Sequence, residues 1–444
     1  MTQLIEAAIK LRDSALRAGF EEAAVLAESV ESIMVKFANS EPSVIQRWST
    51  RTAHVYLAKQ QRILGTSVPL SSPDEAARII AELHALQTKV PPSMLYAPLP
   101  EPPKPQPLEG LVDKKLLEVL HDPSGVSEAI VETARRHPID HFAGMFQVAL
   151  ERKALATSKG VELEEEGTSL KMYIRAFAGE GSGQWALGSR RYDIKRIEEV
   201  AATAADLAVK SRSQEEVPPG KYDIILSPMV VGNLFNIVAE MASASSILMG
   251  ASMFINKDVG DKVASDALTI IDAPRNAELP GSTAFDDEGV PTYTKPIIEK
   301  GVLRNILHNS KTASKFGASS TGNAGLILPR VWTIEVAPGE HSLEEMLREV
   351  KNGLIVTNNW YTRLQNYVEG IFSTITRDAT LIVRNGEVVG AARKMRIADA
   401  LPRMITNIAA IGKEVYDIHW WEVDIPTRTP YILFREVNTS KHTA

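Results

Sequence analysis

Two histidines separated by four positions are the first residues whose spacing permits metal chemistry. His137 and His141 stand on either side of Pro138-Ile139-Asp140, and an interval of four brings two imidazoles onto one face of a helix. Pro138 disfavours helical geometry at His137 and suits a first-turn position, so the two rings are expected on differently oriented backbone. Since no third ligand is evident nearby, the pattern favours a loop with one partly buried and one solvated histidine.

Two further histidines could serve acid-base or nucleophilic chemistry. His308 follows a predicted strand and precedes Asn309-Ser310, and His419 stands beside Trp420 and Trp421. Neither has a visible nucleophile partner, and a Ser-His-Asp site is recognised by geometry that one sequence does not reveal. We therefore predict structural roles for both histidines.

Three consecutive acidic residues offer oxygen ligands for a cation. Asp286-Asp287-Glu288 stands directly before Gly289, whereas an EF-hand spreads its carboxylates over a loop of about twelve residues with a closing glutamate. Tight clustering before a glycine predicts an acidic turn. Exposed carboxylates in such a turn could contact a partner subunit.

A helix is predicted after Ser227-Pro228, which provides an N-cap and a first-turn proline. A zinc peptidase helix needs imidazoles to hold the metal and a carboxylate to take a proton from the metal-bound water. Here the amide of Asn236 and the thioether of Met241 are poor zinc ligands, and Ile237 cannot accept a proton. The residue types therefore argue against a metal site on this helix.

Composition excludes several classes of function. The formal net charge is -6 and no strong basic run is present, which argues against binding to a nucleic-acid backbone. With no cysteine, the chain has no disulfide, thiol nucleophile or thiolate ligand. The start of the chain is charged and helix-patterned rather than signal-like, and no apolar run reaches the ~18 residues of a membrane span. We therefore expect a cytoplasmic protein that does not enter a membrane.

The order of predicted elements indicates an α+β fold. Residues 1–90 read as an N-terminal α+β subdomain, 91–112 as a proline-rich linker and 113–214 as a second α+β part, so the N-terminal region combines small sheets with flanking helices. Residues 220–440 read as a β-rich domain, barrel-like or sandwich-like. In that domain Asn385-Gly386 predicts a two-residue hairpin, because both residues tolerate positive φ angles.

A series of motifs in the C-terminal half resembles the TldD/PmbA family, also known as the modulator of DNA gyrase family. The series comprises Ile224 to Pro228 with Gly232, Phe285 to Pro291, Gly301-Val302-Leu303, Ser320 to Ala324, Gly353 to Val356, Asn366 with Gly370 to Ser373, and Ile408 to Gly412. TldD-type members resemble zinc peptidases with a His-Glu-x-x-x-His helix. The resemblance places those three positions at Asn236, Ile237 and Met241. It also implies a further cysteine ligand near Asp417 to Val423, where this chain has His419, Trp420 and Trp421.

In lacking this motif, the chain is similar to the PmbA (TldE) branch of the family. The resemblance therefore implies a non-catalytic subunit of a TldD-type zinc metalloprotease that processes or degrades peptides. It implies no catalytic residue and no cofactor in this chain, with zinc only in a TldD-type partner. The expected assembly is a heterodimer, a higher assembly or a homodimer, without nucleic acid.

Two alternatives to this function remain open. One is an independent hydrolase using His308, His419 or the His137 and His141 pair, and the other is a homodimeric peptide-binding module.

Overall fold

Two β-sheets organise the chain, and the predicted α+β class is confirmed. The computed structural model describes residues 2–70 and 73–441. Among these residues, no helix combines the length and hydrophobicity needed to cross a lipid bilayer. The N-terminal sheet and the C-terminal sheet share a core, in which Phe142 and Trp185 from the first pack in one cluster with Ile225, Trp420 and Leu433 from the second.

The N-terminal half surrounds an antiparallel sheet with helices. Its elements are α1 (Thr2–Arg17), β1 (Glu22–Ala38), β2 (Glu41–Lys59), β3 (Arg62–Pro69), α2 (Pro73–Gln87), α3 (Lys114–His121), α4 (Ser124–Arg135), β4 (His141–Thr157), β5 (Glu162–Ala178), β6 (Gly181–Ser189) and α5 (Ile194–Lys210). The strand order is β3-β2-β1-β4-β5-β6. The segments on either side of the proline-rich stretch therefore build one sheet through the pairing of β1 with β4. The domain boundaries placed along this stretch stay a prediction.

The first helix forms because its small and aliphatic residues recur at helical spacing. Ala8, Leu11 and Ala15 are buried in one cluster with Ala27 of β1 and Ala154 of β4, so this stripe is the face of the helix that meets the sheet. Alanine at these contacts lets helix and sheet approach closely.

The C-terminal half is β-rich, as predicted. Its elements are β7 (Gln214–Glu215), β8 (Lys221–Leu226), α6 (Pro228–Met241), α7 (Ala244–Leu248), β9 (Ile270–Asp272), β10 (Lys295–Glu299), β11 (Val302–Leu303), α8 (Ser310–Phe316), β12 (Ile334–Val336), α9 (Leu343–Arg348), β13 (Asn352–Asn366), β14 (Ile371–Arg384), β15 (Glu387–Ala392), β16 (Met395–Ala400), α10 (Leu401–Thr406), β17 (Ile408–Trp420) and β18 (Val423–Lys441). The strand β8 lies between β13, to which it is parallel, and β18, to which it is antiparallel. The predicted hairpin joins β14 to β15, with φ of 48° at Asn385 and 85° at Gly386.

The connection from β8 to α6 differs in one detail from the sequence prediction. Ser227 has the extended backbone of an N-cap and Pro228 begins the helix, but the serine side chain makes no capping hydrogen bond. Its hydroxyl instead donates to the carbonyl of Thr357 at 2.6 Å. The serine thus ties the start of α6 to the neighbouring strand β13, a long-range contact that local capping rules cannot predict.

Candidate functional site

The paired histidines do not form a common site. His137 lies in the turn after α4 and is partly buried, whereas His141 is the exposed first residue of β4. The His141 ring stacks on Phe177, with 4.6 Å between centroids and 13° between planes. Across residues 2–70 and 73–441, no three His, Cys, Asp or Glu side chains are placed to hold a metal ion.

His308 is a buried residue with local contacts. Its Nδ1 lies 3.3 Å from Thr312 Oγ1, and its ring meets the edge of Phe316 at 5.4 Å between centroids. Burial lowers the pKa of His308, which favours the neutral ring. These contacts give the histidine a packing environment around the start of α8.

Asn236 uses both ends of its amide to hold the C-terminal strand. Its Nδ2 donates to Thr427 Oγ1 at 2.9 Å and to the carbonyl of Ile425 at 3.2 Å, while its Oδ1 accepts the backbone N–H of Ile425 at 2.9 Å. The side chain is only 7% exposed. Because both amide atoms already have partners, the residue at the first expected metal-ligand position joins α6 to the start of β18.

The other two family positions contribute to packing. Met241 is 3% exposed and belongs to the apolar core beneath α6, and the partly buried Ile237 packs against that core. An aliphatic chain offers neither a proton acceptor nor a metal ligand, and a buried thioether is a weak ligand for zinc. The donor set of α6 therefore does not fit the zinc ion that the resemblance implies for TldD-type members.

A network of buried amides together with hydroxyls fixes the polar side of α6. Asn233 donates to the carbonyl of Glu422 at 2.7 Å, and its Oδ1 accepts from Asn359 at 2.8 Å and from Thr362 at 2.7 Å. Asn359 also donates to Thr374 at 3.0 Å, while its Oδ1 is buried without a hydrogen-bond partner among the described residues. The helix is thereby joined to β13, to β14 and to the β17–β18 turn at one place.

His419 lies on β17, in the stretch where the resemblance leads one to expect a cysteine. Burial, with a smaller contribution from Lys171, lowers the pKa of His419 to about 3. Its Nδ1 is buried and has no hydrogen-bond partner in the described part of the chain. The residue lies against the N-terminal sheet, because a Cβ added to Gly188 would stand 2.2 Å from the His419 Cβ. This neutral histidine therefore marks a close contact between the two halves.

An exposed aromatic surface lies beside the amide network. Trp360, Tyr361 and Trp421 are 36%, 51% and 60% exposed, and we call them the aromatic surface. The Arg377 guanidinium lies between the two tryptophans, 5.4 Å from the Trp360 ring and 5.9 Å from the Trp421 ring. Burial lowers the pKa of Arg377, and burial raises the pKa of the neighbouring Glu422 carboxyl. Aromatic and arginine side chains of this kind are enriched where proteins bind one another.

The acidic turn exists, but its predicted exposure is wrong. Asp286, Asp287 and Glu288 are 0%, 6% and 1% exposed. Glu288 forms a buried ion pair with Lys311 at 2.5 Å and accepts the Ser310 backbone N–H at 2.9 Å. A buried charge needs such partners, and these come from α8, which is distant in the sequence.

The same turn is connected to another motif of the family series, Ser320 to Ala324. The Asp286 carboxylate accepts the backbone N–H groups of Glu288, Val290 and Ala324 at 2.9 to 3.0 Å. Burial, followed by the charge of Glu288, raises the pKa of Asp286 well above its usual value. Two motifs of the sequence series are therefore held together by backbone hydrogen bonds to one carboxylate.

Sequence reasoning missed the residues on β13 and β14 that complete the site. Asn358-Asn359-Trp360-Tyr361 occurs inside a strand, although asparagine is depleted in strands. The sequence signal for this part of the site was the succession of two amides and two aromatic residues within a strand segment. Arg377 gave no comparable signal, because its position between the tryptophans depends on the β17–β18 turn.

Sequence comparisons match most of the chain to two related profiles. The profile described as the PmbA/TldA metallopeptidase C-terminal domain matches residues 219–441, and the corresponding central-domain profile matches residues 102–212. A metalloprotease of Methanocaldococcus jannaschii is 28% identical over 276 residues, covering 59% of this chain and 60% of that protein. The metalloprotease PmbA of Escherichia coli O157:H7 is 31% identical over 232 residues, covering 52% of this chain and 50% of that protein. The matches thus span 50 to 60% of these relatives' length.

Solved structures share the whole fold. TldE from Thermococcus kodakarensis superposes with a TM-score of 0.86 at 21% identity, covering 98% of this chain and 100% of that chain. A putative modulator of a DNA gyrase from Thermotoga maritima gives a TM-score of 0.85 at 22% identity, covering 98% and 99% of the two chains. Taken with the profile matches, these results show that the chain belongs to the PmbA/TldD family.

Proposed function

We propose that this chain is a non-catalytic, TldE/PmbA-like subunit of a TldD-type zinc metalloprotease that processes or degrades peptides. The proposal rests on the observation that the side chains at three positions on α6 serve structural contacts. Asn236 holds the start of β18, while Ile237 and Met241 pack in or against the core. We infer that the chain is inactive alone and that zinc and the proton-accepting carboxylate belong to the partner.

The names of the related proteins support the peptidase context. Relatives include proteins named metalloproteases, PmbA and TldD homologues, and one fold neighbour is named TldE. The side chains of α6 support the non-catalytic role within that context, since an amide, an aliphatic chain and a thioether do not replace two imidazoles and a carboxylate.

We further propose that the aromatic surface contacts the catalytic partner. Large aromatic side chains with an arginine between them supply apolar area and directional contacts at a low entropy cost. The surface lies beside α6, the helix that carries the expected metal-ligand positions, so a partner bound there contacts the chain next to those positions. Peptide is then bound within the assembled complex. We also propose that the complex is cytoplasmic, which fractionation of the native source can test.

Co-expression with a TldD-type subunit from the same source tests the proposal. We expect a stable complex by light scattering, zinc in the complex, and peptide cleavage that is absent from the isolated chain. Cleavage by the isolated chain at the rate of the complex would refute the proposal and favour an independent hydrolase. A stable homodimer that ignores the TldD-type chain would favour the peptide-binding module.

Replacement of an aromatic residue localises the contact. Trp421→Ala removes a 60% exposed side chain and is expected to abolish co-purification without changing the melting temperature. Tyr367→Ala, which removes an aromatic residue that is 49% exposed elsewhere, is the matched control and should retain the complex. Equal binding by both variants would place the partner on another face.

A further inference from the structure

A small cavity lies between the N-terminal sheet and the C-terminal half. Its volume is about 240 Å³. One wall is a cross-strand row on β1, β4 and β5, formed by Glu28, Lys153 and Glu165. The opposite wall is formed by residues 281–283, Asp287, Arg330 and Trp332. No residue of α6 or of the aromatic surface lines this cavity, so it is distinct from the site described above.

Most charged groups around the cavity already have partners. Arg152 pairs with Glu31 at 2.6 Å and with Glu166 at 3.2 Å, and Lys153 stands 3.5 Å from Glu165. The remaining lining groups are also occupied: Glu28 contacts His54, Glu151 accepts from Ser169, and buried Arg190 donates to Leu279, Ser282 and Thr168. These contacts are internal and do not call for a ligand.

Two opposite charges on the cavity wall lack such partners. Asp287 is 6% exposed, yet its carboxylate accepts no hydrogen bond and forms no ion pair within the described part of the chain. The guanidinium of Arg330 also forms no ion pair there and lies over the Trp332 ring, 4.5 Å from its centroid. Both groups line the cavity without meeting each other within ion-pair distance.

An unpaired carboxylate in this position is costly. Burial raises the pKa of Asp287, and the charges of Arg330 and Lys153 act against that rise. A carboxylate largely withdrawn from water without a direct partner is destabilising, whereas an ammonium group would provide charge and hydrogen bonds together. Arg330, by contrast, presents donors suited to a carboxylate while its flat face rests on the tryptophan.

We propose that this cavity binds a zwitterionic ligand the size of an amino acid or a dipeptide, with its ammonium group on Asp287 and its carboxylate on Arg330. The volume of about 240 Å³ is below the roughly 300–1,000 Å³ of cavities that hold drug-sized molecules. Val30, Leu111 and Trp332 supply apolar area for a small side chain. The ligand needs no peptidase partner, so failure of the proposed assembly and failure of this site are distinguishable.

Calorimetry on the full chain with L-alanyl-L-alanine as the probe tests the site. N-acetyl-dialanine lacks the ammonium group and dialanine amide lacks the carboxylate. Because a charged hydrogen bond contributes about 1.5–3 kcal/mol, each capped probe is expected to bind at least about tenfold more weakly. Equal binding of the three probes, or no binding of dialanine at millimolar concentration, would overturn the proposal. This comparison uses the unaltered protein and so does not depend on whether a variant folds.

Two substitutions assign the charges. Arg330→Gln should weaken the binding of dialanine at least about tenfold and leave the binding of dialanine amide unchanged. Asp287→Asn should likewise weaken the binding of dialanine at least about tenfold and leave the binding of N-acetyl-dialanine unchanged. Arg363→Gln is the matched control, because the Arg363 guanidinium also lies over an aromatic ring, 4.4 Å from the centroid of Tyr361. If Arg330→Gln and Arg363→Gln have the same effect on dialanine, Arg330 does not hold the ligand and the proposal fails.

Discussion

Replacing Asn236 by alanine tests whether this residue serves as a structural link. The substitution removes the two hydrogen bonds donated by Nδ2 and the acceptor of the Ile425 backbone N–H. The carbonyl of Ile425 keeps one partner, because Thr427 Oγ1 also donates to it at 2.8 Å. The main loss is therefore one partly buried N–H left without a partner, together with the weaker loss of the two donated bonds.

The expected cost follows from these contacts. A buried donor left without a partner costs about 1–3 kcal/mol, and the two weaker donated bonds together contribute about 1 kcal/mol, the low end for internal hydrogen bonds. Asn236→Ala should therefore lower the free energy of unfolding by about 2–4 kcal/mol. In a unit of 150–250 residues, each kcal/mol corresponds to about 2–4 °C in melting temperature, so a shift of several degrees is measurable.

Thermal unfolding monitored by tryptophan fluorescence is a suitable assay, since Trp420 and Trp421 stand just before β18. Asn352→Ala is the control, because Asn352 is an exposed amide at the start of β13 whose side chain accepts a solvent-exposed hydrogen bond from Arg384, and it should change the free energy by less than about 0.5 kcal/mol. If Asn236→Ala melts together with Asn352→Ala, the amide does not hold β18 and the structural interpretation of α6 is wrong.

Three other predictions concern buried contacts. Burial lowers the pKa of His419 to about 3, so at pH values between the ordinary histidine pKa and this lowered pKa only the unfolded state takes up a proton. Lowering the pH from 8 to 5 should therefore reduce the free energy of unfolding by about 2 kcal/mol. In urea unfolding, His419→Gln should lack this part of the pH dependence. Lys311→Met leaves Glu288 buried without its cation and should cost about 3–5 kcal/mol by urea unfolding, with partial recovery when Glu288→Gln is added. A Cβ at Gly188 would meet the His419 Cβ at 2.2 Å, whereas Gly390 faces open space. Gly188→Ala should therefore lower the free energy of unfolding by about 1–3 kcal/mol, while the control Gly390→Ala should leave it nearly unchanged. Equal melting temperatures of these two variants would contradict the packing described.

Local patterns were sufficient for much of the fold. The stripe of Ala8, Leu11 and Ala15 predicts α1, and Asn385-Gly386 predicts the hairpin, because helical periodicity and positive φ angles are properties of neighbouring residues. The α+β class follows from the same information. The pairing of β1 with β4 across the proline-rich stretch does not, since it joins strands that are distant in the sequence.

The candidate site illustrates the same limit. Residue chemistry alone argued against zinc on α6, but it could not reveal that Asn236 contacts residues about 190 positions away. The acidic turn was predicted as exposed because its sequence is polar, and its burial depends on Lys311 and on the Asp286 contact with Ala324. A polar sequence specifies a turn, whereas its partners decide whether it is solvated.

The zinc content of the isolated chain tests the central claim most directly. After incubation with zinc and gel filtration, elemental analysis should find far less than one zinc ion per chain, because the α6 side chains are an amide engaged in hydrogen bonds, an aliphatic chain and a buried thioether. One tightly held zinc ion per chain that is lost in Met241→Leu would contradict the non-catalytic assignment.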